Sequence, residues 1–144
     1  MTLFTIGSGK KSAREFFSLL QENNIKRVLD IRLSNTSQLA GYTKKADLEY
    51  FLKEIADIDY YHMPELAPTE KLLNAYKSKE VSWQEYEIEY NRIITERNPL
   101  AKLNATIFDK ACLLCSEPTA KQCHRRLLAE YIADNFPDCK IVHL

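Results

Sequence analysis

Short apolar runs alternate along this chain with longer segments in which apolar residues recur every three or four positions. A short run is typical of a strand, and the longer period is typical of a helix that buries one face. The runs predict five strands: Leu3–Ile6, Arg27–Arg32, Ile58–His62, Ala111–Cys115 and Lys140–His143. Because helical segments separate most of them, the pattern favours an α/β, Rossmann-like fold. We expect a doubly wound, mostly parallel five-stranded sheet with helices on both faces.

Capping boxes indicate where several helices begin. In this motif a serine or threonine and the residue three positions later each accept a hydrogen bond from a free backbone N–H. The motif occurs at Ser12–Glu15, Ser82–Glu85 and Thr119–Gln122, and the third predicts a helix from Thr119 to Phe136. Two further helices are expected, at Lys44–Ile55 and from a cap at Thr69 to Lys77.

Length and composition limit the possible functions. The 144 residues are close to the commonest domain size, so we expect a single α/β domain over 1–144. Twenty basic and twenty acidic side chains cancel, which leaves no global field to recruit nucleic acid or an anionic membrane. No secretion signal or membrane span is visible, so we expect a cytoplasmic protein whose four cysteines are thiols.

Polar side chains follow the predicted strands at the edge where parallel sheets bind ligands. Asp30 and Arg32 are unusual because they lie inside an apolar run, and alternation places them on one face. They are close enough to hold a common ligand, although a purely structural ion pair would also explain them. The residues expected at this edge are Ser8, Asp30, Arg32, His62, Glu65, Cys115, Glu117 and His143.

The last predicted helix adds a second group of candidates. A step of about 100° per residue places His124 at the centre of the inward face, near Cys115. Cys123 and Arg125 fall on its two flanks, and Cys123 lies near a helix N-terminus, where the dipole favours a thiolate. The structural alternatives are a core histidine bonded to a carbonyl and an inert buried thiol.

The chain resembles a family known as domain of unknown function 488. The matching pieces cover nearly the whole chain: Thr5-Ile-Gly7, Val28-Leu-Asp30-Ile-Arg32, Gly41-Tyr42, Leu113-Leu-Cys115-Ser-Glu117 and Cys123-His-Arg125. The resemblance implies an α/β fold and a pocket built from these motifs, without a reaction. Two features depart from the family pattern. Ser8-Gly9 stands where the family usually has His-Ser, and the loop after Arg32 lacks the usual proline.

The first chemical hypothesis is a pocket for an anionic or nucleotide-like small molecule, with or without hydrolysis. Gly7 and Ser8 would offer backbone N–H groups, and Arg32 and Arg125 would offer forked donors for an anion. Glu117 or Asp30 would then act as a general base. The glycine spacing is not that of a Walker A loop or of a dinucleotide-binding fingerprint.

The second hypothesis is thiol chemistry at Cys115. A cysteine at a strand end, followed by a loop into a helix, resembles the layout of rhodanese-like and cysteine-phosphatase sites. Two residues count against a phosphatase loop, because Pro118 removes one backbone N–H and Lys121 stands where arginine would be expected.

Two weaker hypotheses complete the set. A metal site would need Cys115, Cys123 and His124, but Cys112 and Cys115 face opposite sides of a strand, which disfavours a zinc knuckle. A non-enzymatic nucleic-acid or protein module would stack bases on Tyr60, Tyr61, Trp83, Tyr86 and Tyr90, although a helical aromatic stripe is more often core.

The preferred hypothesis is a ligand-binding domain at the carboxyl edge of the sheet, with or without catalytic activity. The catalytic candidates are Cys115, Glu117, His124 and Asp30, and the ligand-binding candidates are Gly7, Ser8, Arg32, Cys123 and Arg125. No residue is assigned to a metal, and the cofactor, the oligomeric state and the reaction stay open.

Overall fold

The computed structural model describes residues 1–36 and 41–144. Within them lies one parallel sheet of five strands in the order β3-β2-β4-β1-β5. The strands are β1 Thr2–Gly7, β2 Arg27–Asp30, β3 Asp59–His62, β4 Ala111–Cys115 and β5 Lys140–His143. The α-helices are α1 Ala13–Glu22, α2 Lys45–Ala56, α3 Glu70–Lys77, α4 Trp83–Arg97 and α5 His124–Asn135. The predicted α/β class and five-stranded sheet are confirmed.

The helices divide between the two faces of the sheet as a doubly wound fold requires. Alternate residues of β4 show the division, because Cys112 and Leu114 pack with α1 and α2, whereas Ala111 and Leu113 pack with α4 and α5. Apolar residues of α3 join the second layer. Cys112 and Cys115 therefore face opposite sides of the sheet, as their spacing predicts.

The strand order places the ends of β2 and β4 side by side. Asp30 is the register partner of Leu114, and the Ile31 N–H donates to the Leu114 carbonyl oxygen at 3.1 Å. The segments that follow these strands, 31–36 and 116–123, therefore leave the sheet next to each other. This adjacency positions the candidate site.

Two predicted boundaries are wrong at this edge. Strand β2 ends at Asp30, so Arg32 lies beyond the sheet, and the Arg32 N–H bonds back to Asp30 Oδ1 at 3.2 Å. Helix α5 begins at His124 and not at Thr119, with Cys123 as its N-cap. At the second boundary Cys123 takes the cap position, because its Sγ accepts from the Arg125 N–H at 3.5 Å.

The Ser12 capping box is only half formed. Ser12 Oγ accepts from the Glu15 N–H at 3.1 Å, as predicted, but Glu15 Oε1 accepts from the Ser12 hydroxyl and not from a backbone N–H. At Ser82 both bonds of the box are present.

Candidate functional site

Two cysteines from different elements meet beneath the β4–α5 connection. Cys115 ends β4 and Cys123 caps α5, and their sulfur atoms lie 2.7 Å apart. Both are free thiols, and both are buried, with 1% and 2% of their surface exposed. The contact is a sulfur–sulfur hydrogen bond, which requires one proton between two groups that can each lose one.

Arg125 supplies the positive charge beside this pair. Its Nη1 donates to Cys115 Sγ at 3.3 Å and to the Glu117 carbonyl oxygen at 2.6 Å. The helical rotation assigned Arg125 to a flank of α5, but its side chain is buried, with 1% of its surface exposed. The guanidinium therefore acts inside the protein and is not a surface charge.

The surroundings shift the pKa values of the two thiols in opposite directions. Burial raises the pKa of Cys115, but the hydrogen bond from Cys123 and the charge of Arg125 outweigh it, so this pKa lies below its ordinary value. The hydrogen bond to Cys115 and burial raise the pKa of Cys123 far above its ordinary value. Of the two thiols, Cys115 is therefore the one that ionises more readily, and Cys123 is the donor when it does.

The loop after β1 forms the wall behind Arg125. Ser8 N donates to the Cys115 carbonyl oxygen at 3.0 Å and Gly9 N to that of Ser116 at 2.9 Å. A Cβ at Gly7 would collide with the Glu117 carbonyl oxygen and with Arg125 Nη1, so this position has room only for glycine. Gly7 and Ser8 thus hold the cysteine loop in place, and these two N–H groups are already used.

Lys11 also lies near this charge cluster. Burial and then the neighbouring charge of Arg125 lower the pKa of the Lys11 ammonium, while the Cys115 thiolate opposes that shift. A second cation close to Cys115 adds to the field that favours its ionised form.

Asp30 and Arg32 form a buried ion pair at the end of β2. Arg32 Nε donates to Asp30 Oδ1 at 2.8 Å, and Arg32 Nη2 donates to Oδ2 at 2.7 Å. Asp30 also accepts from the Tyr60 hydroxyl at 2.5 Å, and Arg32 Nη2 donates to the Thr43 carbonyl oxygen at 2.8 Å. Within the described residues, buried Arg32 Nη1 has no hydrogen-bond partner.

His124 bridges the ends of β2 and β4. Its Nε2 lies 2.9 Å from the Ile31 carbonyl oxygen, and its ring lies 5.7 Å from the ring of Tyr90. Burial lowers the pKa of His124 to about 4, so the imidazole is neutral near pH 7. A neutral ring beside a carbonyl oxygen donates from Nε2, which leaves Nδ1 without a proton.

These groups surround a cavity of about 380 Å³, which we call the site cavity. Its candidate residues are Arg32, Cys115, Glu117, Cys123 and His124, and the remaining lining comes from Leu33, Ser34, Pro68, Leu73, Tyr76, Lys77, Trp83, Tyr86, Ser116 and Gln122. The rings of Trp83 and Tyr86 stack with centroids 5.1 Å apart and form an aromatic wall. The cavity thus combines a cysteine whose surroundings favour its ionised form, an arginine and an apolar surface.

The structure brings the candidates together in two layers. Five of the nine line the site cavity, whereas Gly7, Ser8, Asp30 and Arg125 stand behind them and hold them. Three other residues expected at this edge do not line the site cavity. His62 Nε2 lies 2.9 Å from the Arg32 carbonyl oxygen, Glu65 is exposed, and His143 contacts Thr5 Oγ1 beyond β1.

The aromatic wall was not expected to be part of the site. The helical spacing of Trp83 and Tyr86 is typical of core residues, and Tyr76 has no sequence signal that separates it from one. The rings reach the cavity because α3 and α4 pack across the face that carries Cys115. The capping box at Ser82 indicates where α4 begins, but not which side of the sheet it covers.

Three further findings concern metal ligands, membrane-spanning helices and known relatives. Within residues 1–36 and 41–144, no three His, Cys, Asp or Glu side chains are grouped so as to hold a metal ion. In the same part of the chain, no helix is long and apolar enough to cross a bilayer. A family model described as "Domain of unknown function DUF488" matches residues 12–132, and no curated protein or solved structure matches significantly.

Proposed function

The chain belongs to the DUF488 family, and from that premise we propose that it is a cysteine-dependent enzyme in which Cys115 attacks a small molecule in the site cavity. The supporting observation is the position of Cys115 beside two hydrogen-bond donors in the cavity. Cys115 lines the cavity with a lowered pKa, 3.3 Å from an arginine and 2.7 Å from a thiol donor. Ionised cysteine is a nucleophile at neutral pH without a general base.

Arg32 is the residue that we assign to substrate binding. Arg32 lines the cavity, and its buried Nη1 has no partner among the described residues, so a substrate oxygen that reached this nitrogen would satisfy a buried group. The Lys77 side chain on the same cavity favours a substrate that carries negative charge. These groups support the small anionic ligand expected from the sequence.

Asp30, His124 and Glu117 take other parts in this proposal. Asp30 positions Arg32, because its oxygens already accept several hydrogen bonds and it is fully buried. Since Cys115 is ionised, His124 and Glu117 are not needed to deprotonate it. We assign both to the surroundings of the bound substrate, His124 as a neutral acceptor and Glu117 at the exposed rim.

Arg125 favours thiol chemistry over a phosphatase reaction. A phosphatase needs the arginine fork free to hold the phosphate beside the thiolate. Arg125 does not line the site cavity, and its Nη1 is bound to the Glu117 carbonyl oxygen and to Cys115. Its Nε, which has no partner among the described residues, is buried. The arginine is therefore placed to stabilise the sulfur anion and not a bound phosphate.

Alkylation by iodoacetamide at a series of pH values tests the proposal. We expect Cys115 to react with a midpoint below that of an ordinary thiol, and below that of Cys139, whose pKa burial raises. Arg125→Met should raise the Cys115 midpoint by about 1–2 pH units, because it removes the neighbouring positive charge. Peptide mass spectrometry follows each cysteine separately.

Cys112→Ala is the matched control, since Cys112 lies on the same strand but faces the other side. It should leave the Cys115 midpoint unchanged. Arg125→Lys keeps the charge and should shift the midpoint less than Arg125→Met. The proposal is overturned if Cys115 in the folded wild-type protein titrates at or above the value of a free thiol.

A further inference from the structure

We propose that Cys123 is a second catalytic residue, that Cys115 and Cys123 cycle between a dithiol and a disulfide, and that the substrate is a small disulfide. The inference rests on the proposed function, because it needs Cys115 as the nucleophile. It goes further by naming the substrate class and by giving Cys123 a part in covalent chemistry.

The first support is the position of the two sulfur atoms. They lie 2.7 Å apart, and a disulfide bond measures about 2.05 Å, so the sulfur atoms need to approach by less than an ångström. The two residues come from the end of β4 and the cap of α5, which carry them into one buried contact. Both also line the site cavity, where an intermediate on either sulfur would be enclosed.

The second support is the difference between the two thiols. A dithiol centre needs one thiolate to attack first and one thiol to stay protonated until the second step. Cys115 has the lowered pKa and Cys123 the raised one, chiefly because Cys123 donates its proton to Cys115. The order of attack follows from the surroundings.

The first step consumes the Cys115 thiolate, which is the group that raises the pKa of Cys123. The Cys115 thiolate attacks one sulfur of the substrate, the substrate S–S bond breaks, and one half leaves as a thiolate. Cys115 is now part of a neutral mixed disulfide, so the two effects of Cys115 on the pKa of Cys123 disappear. The charge of Arg125 and the Arg125 N–H, 3.5 Å from Cys123 Sγ, then favour the Cys123 thiolate.

The second step closes the cycle with balanced atoms and electrons. The departing thiolate takes the Cys123 proton, Cys123 attacks Cys115 Sγ, and the bond from Cys115 to the substrate sulfur breaks. The second half leaves as a thiolate that takes a proton from solvent. The substrate has gained two electrons, the two cysteines have lost two, and two molecules of a low-molecular-weight thiol restore the dithiol.

The lining of the cavity suits this substrate class. Pro68, Leu73, Trp83 and Tyr86 form its apolar side next to the two sulfur atoms. A disulfide bond is apolar and polarisable, and sulfur packs favourably against aromatic rings. The Arg32 donor and the Lys77 side chain would bind the polar ends of such a molecule.

The test uses reduced full-length protein and 2-hydroxyethyl disulfide, followed by acid quenching and intact mass measurement. Wild-type protein should lose two hydrogen atoms, show a Cys115–Cys123 linked peptide and release two equivalents of 2-mercaptoethanol. Cys123→Ser should stop at one covalent adduct on Cys115 and release one equivalent. Cys112→Ala should behave as wild type, and glutathione should return oxidised wild type to its starting mass.

The outcomes separate the inference from the proposed function. If folded wild type accumulates the same stable adduct on Cys115 as Cys123→Ser, the dithiol cycle is overturned while the nucleophile stands. If wild type forms neither an adduct nor a disulfide, the proposed function has failed as well. Whether wild type ends as a disulfide or as a stable Cys115 adduct is read from its own mass, so this outcome does not depend on how well Cys123→Ser folds.

Discussion

The cysteines of this chain share one side-chain chemistry but differ in their surroundings. Cys112 is buried in the core on the α1 and α2 side, where burial raises its pKa far above the ordinary value. Cys115 is equally buried, yet Arg125 and the Cys123 thiol stabilise its anion. Contacts and not exposure therefore distinguish these thiols, since the least exposed ones include both Cys112, whose pKa is raised, and Cys115, the proposed nucleophile.

The protonation of His124 should make the stability of the protein depend on pH. Its native pKa of about 4 lies below its ordinary 6.5, so the unfolded chain binds the proton first as the solution is acidified. The stability that the neutral ring contributes is complete above pH 6.5 and is lost as the pH falls toward 4. Between pH 7 and pH 5 this should remove about 2 kcal/mol from the free energy of unfolding.

Urea denaturation of wild type and His124→Gln at both pH values measures the effect. The loss between pH 7 and pH 5 should be smaller in His124→Gln, whatever the variant's stability at pH 7, because glutamine does not titrate. An equal loss in the two proteins would contradict a buried neutral His124.

At the scale of elements, the connection from β4 to α5 is held by its neighbours and not by its own propensity. The loop carbonyls of Cys115, Ser116 and Glu117 accept from Ser8, Gly9 and Arg125. These bonds fix the first part of the connection, and α5 begins only after Cys123, whose Sγ caps the helix and lies over Cys115. A capping motif four residues earlier in the sequence could not compete with them.

A side chain at Gly7 should disturb the packing behind the cysteine loop. Gly7→Ala would drive a methyl group into the Glu117 carbonyl and Arg125, so we expect it to destabilise the protein by about 1–3 kcal/mol. It should also raise the midpoint of Cys115 alkylation, because Arg125 is displaced. Thermal unfolding and the iodoacetamide titration measure the two effects.

Gly41→Ala is the matched control, because among the described atoms none lies within 4 Å of the added methyl group. It should leave both the unfolding temperature and the alkylation midpoint close to those of wild type. A Gly7→Ala protein as stable as Gly41→Ala would show that the wall behind Arg125 is not tightly packed.

For the whole molecule, the strand order assembles the site from distant parts of the chain. Because β4 lies between β2 and β1, the segment after Asp30 and the segment after β1 both border the cysteine loop. Helices α1 and α2 cover one face of the sheet, while α3, α4 and α5 cover the other. The connection that leaves β2 and the connection that leaves β4 therefore run over opposite faces. Open parallel sheets bind ligands at such positions.

The Asp30–Arg32 pair links several of these distant segments, and its disruption should be costly. Asp30→Asn leaves the buried Arg32 charge without its partner, and we expect a loss of about 3–5 kcal/mol in the free energy of unfolding. Asp30→Asn combined with Arg32→Met removes both charges and should recover part of that loss. Urea denaturation of the single and double variants measures the coupling.

Asp57→Asn is the surface comparison, because the Lys53–Asp57 pair is exposed and asparagine tolerates the left-handed backbone at residue 57. Its stability should stay close to wild type. If the double variant at Asp30 and Arg32 were no more stable than Asp30→Asn alone, the loss would not come from an unpaired charge.

The fold was largely predictable because its signals are local. The apolar run of β4 and the helical period of Phe16, Phe17 and Leu20 depend only on neighbours in sequence, and the confirmed five-stranded α/β sheet follows from such signals. The positions of Asp30 and Cys115 at strand ends were predictable for the same reason, whereas Arg32 was predicted inside β2 and lies beyond it. Boundaries set by long-range bonds, such as the start of α5, were not.

The sequence by itself determined which elements form and which polar residues follow the strands, because periodicity and capping are properties of adjacent residues. Only the tertiary structure decided that Cys115 meets Cys123 and Arg125, that Trp83 and Tyr86 wall the cavity, and that Arg32 is buried with one nitrogen unpaired among the described residues. These relations depend on strand order and on the packing of α3 to α5. The ionisation of a thiol depends on the charges and donors within a few ångströms of it, and folding brings those groups together from positions far apart in the chain.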